Sequence, residues 1–221
     1  HNDCWPVASW SSRDFYGRWK AQHYFTVKSF DDLLVSPIVE GDILKVYVVS
    51  DRLKKTSGTL MVRIIRLDGT GVVRKVPVPA NTSTVVWNEK VEALLKGTSR
   101  EDVVVHVAYL DKGGREYTNN YFLAKQKDMH YKNALIHRDI AVVEGGYEVT
   151  LACDVFARGG FLSIEDDIDN FVSDNYVDLL PDKPVKVKVV TGLPLSQFAE
   201  RLRIVSFSDA VAKSGVETWN R

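Results

Sequence analysis

The chain has 221 residues, 45% of them hydrophobic and 26% charged, the balance of a globular protein with room for one large or two ordinary domains. Its 29 basic and 29 acidic side chains cancel, so no net field draws it to nucleic acid or a membrane surface, and any binding surface must be local. No apolar run approaches the ~18–20 residues of a membrane span, and the polar, aromatic opening is not a signal peptide.

From Arg13 to Phe30 the pattern is helical. Phe15, Trp19, His23 and Val27 recur every four residues, with Tyr16 and Tyr24 beside them, as one broad aromatic stripe. Ser11 or Ser12 is the expected cap, Asp14 an acid in the first turn, and Asp31-Asp32 the end. A stripe this aromatic is made to lie against something large.

After Asp42 the period changes to two. "ILKVYVVSD", "GTLMVRIIRL", "GVVRKVPVP", "STVVWN", "DVVVHVAYL" and "REYTNNYFLA" alternate or run β-branched between Gly, Pro, Asn and Asp. Asp68-Gly69 and Lys112-Gly113-Gly114 are expected hairpin turns. "EKVEALLKG" predicts one or two helical turns stopped by Gly97. About seven short strands in about 90 residues predict an immunoglobulin-like sandwich. The polar stretch Lys125–Asn133 reads as a linker, and strand grammar then resumes from "ALIHRDIAVV" to "RLRIVSFSDA", with turns expected at Gly145-Gly146 and Gly159-Gly160. The fold expectation is therefore mainly β, with two immunoglobulin-like sandwiches in tandem over 35–127 and 128–221, after an opening segment 1–34.

Cys4 and Cys153 lie far apart and are expected as buried small side chains rather than a disulfide. Neither has a Cys or His at metal-ligand spacing, and no cofactor or metal is expected. The run Glu165, Asp166, Asp167, Asp169 lacks the spacing and glycine of a calcium loop and reads as solvated. Asp174, Asn175 and Asp178 read as turn residues bonding their own backbone. His106, among valines, reads as a satisfied strand histidine, and Trp87 as a core tryptophan. Together with Tyr109, Tyr117, Tyr121 and Trp219, Trp87 could instead form a sugar platform, although alternation turns about half of any such set inward.

The opening residues carry a resemblance. Asn2-Asp3 with Trp5, Ser9-Trp10-Ser11-Ser12, and Phe15-Tyr16-Gly17-Arg18-Trp19-Lys20 with His23-Tyr24-Phe25 resemble the closing segment of the (β/α)8 barrel in glycoside hydrolase family 2 β-mannosidases: the end of strand eight, a loop and the last helix. "DNFVSDNYVDLLP" is similar to a Phe-Ser-Asp-Asn-Tyr-Phe-Asp-Leu-Leu-Pro stretch in the last immunoglobulin-like domain of that family, with Val172 intervening before Ser173 and Val177 in place of Phe. Family 2 glucosaminidases share this ending more loosely.

The resemblance implies that 1–34 is a remnant of the barrel and that the partners are the protein's own N-terminal and barrel domains, with a β-mannoside as substrate of the intact enzyme. Retaining glycosidases need two carboxyl groups about 5 Å apart, and in the resembled family both precede this segment, so no catalytic residue is carried over. The expectation is a non-catalytic accessory region of a retaining exoglycosidase acting on terminal β-linked mannose. It would brace the barrel and shape the active-site entrance, and would be inactive alone. A carbohydrate-binding or protein-interaction module is the alternative. Trp5 is the candidate to stack on sugar and Asp3 to hydrogen-bond it; no nucleic acid or membrane partner is implied. The implied parent is periplasmic or otherwise extracytoplasmic. Without a barrel, the aromatic segment would dock on the first sandwich, pair with another molecule or stay loose, and docking is the expectation.

Overall fold

The computed structural model describes residues 11–54, 57–67, 71–78 and 84–209. They fall into two compact units, Val27–His130 and a second that joins 11–26 to 131–209. Each unit is built around an antiparallel sandwich of a three-stranded and a four-stranded sheet. Among the described residues no helix is long and apolar enough to cross a membrane.

Helix α1 (Ala21–Ser29) is shorter than the periodicity predicts. Residues 13–19 form a tight turn instead, with Arg13 and Trp19 bridged antiparallel. Gly17 at φ 83° reverses the chain there, a conformation that glycine adopts without strain. Asp14 holds the turn closed: one carboxylate oxygen accepts the Arg18 N–H at 2.9 Å and the other the Arg18 guanidinium at 2.6 Å. Burial raises the Asp14 pKa, but the Arg18 N–H and guanidinium outweigh that and hold it below the usual value. The four-residue repeat from Phe15 to Trp19 is thus produced by a turn, and Ser11 and Ser12 bind the Arg13 carbonyl and the His23 ring rather than capping a helix.

In the first sandwich, β1 (Leu33–Glu40), β2 (Ile43–Ser50) and β5 (Thr84–Lys90) form one sheet. The other runs β4 (Gly71–Val78), β3 (Gly58–Arg66), β6 (Val103–Asp111), β7 (Glu116–Phe122). Alternation fills the core: Leu44, Val46 and Val48 from β2 meet Leu60, Val62 and Ile64 from β3 and Val105, Val107 and Tyr109 from β6. Val46 pairs with Trp87 and Tyr47 with Val85, so Val86 is an extra residue in β5. This bulge lets two consecutive side chains, Val86 and Trp87, both pack against the core. Helix α2 (Val91–Leu95) ends where expected, with Lys96 and Gly97 both at positive φ. The hairpin at Lys112-Gly113-Gly114 forms; the one expected at Asp68-Gly69 lies outside the described residues.

An ionic clamp closes one end of this sandwich. Arg52, just after β2, reaches Asp32 before β1 at 2.8 Å and Asp111 at the β6 end at 2.9 Å. The Tyr117 hydroxyl donates to Asp32 at 2.9 Å, and Arg115 lies 4.8 Å over the Tyr117 ring. The Arg52 guanidinium, then the Tyr117 hydroxyl, hold the Asp32 carboxyl below its usual range; the Arg115 N–H, then Arg52, do the same for Asp111. A depressed carboxylate stabilises the fold above its unfolded pKa and stops doing so as pH falls through its folded one. Arg52→Met should therefore lower the melting temperature at pH 7 by on the order of 5 °C, and the gap from the parent chain should close below the ordinary Asp value of 3.8. A gap unchanged at pH 2.5 in thermal melts would contradict the clamp.

In the second sandwich, β11 (Phe171–Val172), β13 (Val185–Val190), β9 (Gly146–Cys153) and β8 (Ile136–Val143) form one sheet. The other runs β12 (Val177–Leu179), β10 (Ala157–Ile164), β14 (Leu202–Val205). Gly146 must be glycine because a Cβ there would stand 2.1 Å from the Val189 carbonyl oxygen. Gly159-Gly160, expected to be a turn, instead lies within β10, where the register with β12 shifts between Ala157 and Gly160. Two glycines here mark a bulge, and the chain reverses earlier, at Asp154, whose carboxylate accepts the N–H groups of Leu135 and Val155. Cys153 is buried and free, and burial pushes its thiol up to about 11; Cys4 lies outside the described residues.

Helix α3 (Leu195–Arg201) is not anticipated by the strand-like reading of this stretch. It drops Phe198, fully buried, into the core against Tyr147, with ring centroids 4.3 Å apart and planes 8° from parallel. The Tyr147 hydroxyl ties down the entry through the Leu193 carbonyl at 2.7 Å, and Arg138 of β8 binds the carbonyls of Ala199 and Leu202 at the exit.

Candidate functional site

Trp5 and Asp3, the sugar-contact candidates, lie outside the described residues, as do Trp10 and Trp219. The proposed aromatic platform does not assemble: Tyr109 and Tyr117 are buried in the first core and Trp87 and Tyr121 pack against it. His106 is buried in β6 with its Nδ1 2.8 Å from Asn120 Oδ1.

The opening segment docks on the second sandwich, not the first. Trp19 meets Phe171 edge to face at 5.2 Å and Tyr24 at 5.3 Å, while the His23 ring lies 4.1 Å from its own. Tyr24 is the buried member of α1, and its hydroxyl donates to the Val172 carbonyl at 3.2 Å. Burial, reinforced by Tyr176 and Asp174, pushes the Tyr24 hydroxyl up to about 12. The second sandwich receives it because β11 opens on the exposed Phe171 and its last residue, Val172, turns its carbonyl to the Tyr24 hydroxyl.

Between this segment and the loop from β10 to β12 lies an open groove of about 600 Å³, lined by Tyr16, Arg18, Trp19 and Lys20 on one side and Phe161, Ser163, Asp167, Asn170, Phe171 and Tyr176 on the other. The acidic run, which reaches the groove at Asp167 and Asp169, is divided among separate partners. Glu165 is held bidentate by Arg203 at 2.9 and 2.7 Å, and Asp167 accepts the Thr191 hydroxyl at 2.7 Å. Among the described residues no three His, Cys, Asp or Glu side chains converge as metal ligands.

The Ser173–Asp178 stretch does more than close its own turn. Asn175, only 4% exposed, accepts the Leu162 N–H at 2.8 Å and donates to the Leu162 carbonyl at 2.9 Å, so one side-chain amide replaces a strand partner along β10. Asp178 accepts the Gly159 N–H at the bulge, and the Ser173 hydroxyl accepts the Lys188 N–H of β13. Asp174 accepts the N–H of its neighbour Asn175. Asn175→Asp removes the donor and places a charge where water is excluded. It should destabilise this sandwich by about 2–4 kcal/mol, read as a lower urea midpoint for loss of β10 amide protection.

Two family models match the chain in succession: a "Mannosidase Ig/CBM-like domain" over residues 42–128 and a mannosidase "Ig-fold domain" over 131–210. The chain has the tandem immunoglobulin-like domains of the C-terminal region of the family 2 β-mannosidases. A β-mannosidase of Capra hircus is 32% identical over 137 residues, 58% of this chain and 16% of that protein. Beta-mannosidase A of Aspergillus oryzae is 24% identical over 213 residues, 84% of this chain and 22% of that protein. This β-mannosidase region thus spans less than a quarter of each of these two relatives. Its fold is that of a β-D-mannosidase from Dictyoglomus thermophilum, with a TM-score of 0.78 at 24% identity over 93% of this chain and 25% of that one. An exo-chitosanase of Amycolatopsis orientalis shares the fold at a TM-score of 0.62 and 15% identity, over 93% of this chain and 29% of that one. Both the Asn175 amide and the groove's sandwich wall fall within the second matched domain.

Proposed function

We propose that this chain is the non-catalytic accessory region of a retaining exoglycosidase acting on terminal β-linked mannose, and that it braces the barrel through the segment 11–26. The carrying observation is that segment's two-sided character. Trp19 and Tyr24 are keyed into the second sandwich, while Phe15 and Phe25 on the same stretch are each more than half exposed. A stretch that resembles the barrel's last helix therefore holds the sandwich with one set of aromatic rings and offers another outward. Apolar rings left in water cost free energy that a packed neighbour recovers.

On this reading the 1–34 segment belongs to the barrel, its strand-eight end brings Trp5 and Asp3 towards substrate, and the catalytic carboxyl pair stands upstream. The 221-residue chain should not hydrolyse aryl β-mannosides, whereas the protein extended upstream through its barrel should. Reproducible turnover of aryl β-mannosides by the 221-residue chain itself would overturn the assignment.

A further inference from the structure

We propose that the groove between the opening segment and the second sandwich is a subsite for a neutral oligosaccharide. The argument begins with its chemistry. Phe171 stands at the rim, 42% exposed, with its orientation fixed by the edge-to-face contact with Trp19. Phe161 and Tyr176 stack at 4.9 Å deeper in, which gives a second rigid aromatic surface. Rigid aromatic surfaces receive the apolar C–H faces of pyranose rings at little entropic cost.

The polar groups between these rings have capacity to spare. The Ser163 and Tyr176 hydroxyls make no hydrogen bond among the described residues, and Asn170 uses its amide N–H toward the Asp167 carbonyl while its oxygen is uncommitted there. A hydroxyl can donate and accept, and an amide oxygen accepts, which is the set that a polyhydroxylated ligand requires. The lining charges are of both signs, Arg18 and Lys20 together with Asp14, Asp167 and Asp169; Asp14 holds Arg18, and Asp167 accepts from the Thr191 hydroxyl and the Asp169 N–H. A charged ligand would meet like charge as well as opposite charge there, whereas a neutral one needs only hydrogen-bonding partners. The volume of about 600 Å³ accommodates two or three sugar rings.

The walls are also braced in ways unrelated to the ligand. Asn175 pins the loop beneath the groove to β10, and the Asp14–Arg18 turn pins the opposite wall. Such a site is formed in advance, which favours binding without a folding cost.

The groove rests on this unit's geometry; the choice of sugar rests on the β-mannoside reading above. The test titrates the 221-residue chain with β-1,4-linked mannotriose and, separately, cellotriose, followed by amide and side-chain NMR shifts. The expected result is saturable shifts at Asn170, Phe171 and Tyr176, with a Kd on the order of 1 mM for the mannotriose. Phe171→Ala and Asn170→Ala should each weaken binding about tenfold. Asn170 precedes β11 and Phe171 is the exposed first residue of that two-residue strand, and unchanged β9 and β13 amide protection shows the variants folded. Binding of cellotriose alone would overturn the choice of mannose and keep the groove. No saturable shift up to about 20 mM of either sugar, or shifts that persist in both variants, would overturn the subsite.

Discussion

Phe198→Ala should destabilise the second sandwich by about 3–5 kcal/mol while leaving the first unchanged. The ring is fully buried, lies parallel to Tyr147, and comes from a helix whose two ends are tied by other side chains. Losing its apolar area costs about 1.5–3 kcal/mol, and the parallel ring pair is worth a further ~0.5–1.5. Relaxation into the gap is limited, because Tyr147 is held by the Leu193 carbonyl and Arg138 grips the helix exit. Amide exchange separates the two sandwiches: protection in β9 and β13 should fall by two to four orders of magnitude, while β3 and β6 keep theirs. Phe198→Leu, which keeps most of the volume, should lose less than half as much. Equal loss in both sandwiches would mean that the two units unfold together.

The strands were the legible part of this chain, and the physical reason is the strength of period two. Leu44, Val46 and Val48, or Tyr147, Val149, Leu151 and Cys153, announce both a strand and its buried face, because every second side chain must leave water. The irregularities were hidden for the same reason. A pair of glycines looks alike in sequence whether it turns a chain or bulges a strand, and only the Asp178 carboxylate on the Gly159 N–H distinguishes the two. Helix α3 was obscured by its short length and by the apolar runs that flank it, although Pro194 followed by Leu195, Phe198 and Leu202 carries the three- and four-residue spacing that could have revealed it. The Phe15-to-Trp19 spacing misled in the opposite direction: it has the four-residue step of a helix, but Gly17 reverses the chain between the two residues and Arg13, not Phe15, stands opposite Trp19.

The candidate site was less legible still, since it is made by contacts between distant stretches. Asn175 reads as a turn residue until Leu162, 13 positions earlier, is seen between its amide atoms. Nothing local marks Tyr24 rather than Tyr16 as the buried tyrosine of the opening segment; the Val172 carbonyl, 148 positions away, decides it. The aromatic density of the opening residues marked the segment as one that must pack, but not on which sandwich; the contacts of Trp19 and Tyr24 with Phe171 and Val172 decide for the second.

Trp19→Ala should release the opening segment from that support. The indole contacts Phe171, Tyr24 and His23, so its removal strips the segment of its principal apolar contact and leaves only the backbone bridge to Arg13. Burial and ring-pair terms together put the loss at about 2–4 kcal/mol, and limited trypsin cleavage after Arg13, Arg18 and Lys20 should accelerate by one to two orders of magnitude. Tyr24→Phe removes only the hydroxyl's bond to Val172 and should have a several-fold effect, whereas Trp19→Phe should restore most of the protection. The same substitutions separate the two roles proposed for this region. If the segment braces the barrel, Trp19→Ala in the upstream-extended protein shortens the half-life of thermal inactivation and leaves KM for a small aryl β-mannoside unchanged. If the region instead shapes the entrance, KM rises while the half-life holds. The exposed rings of the segment favour the first result, because Phe15 and Phe25 offer the apolar area that a brace needs and none of the polar groups that a substrate wall would use.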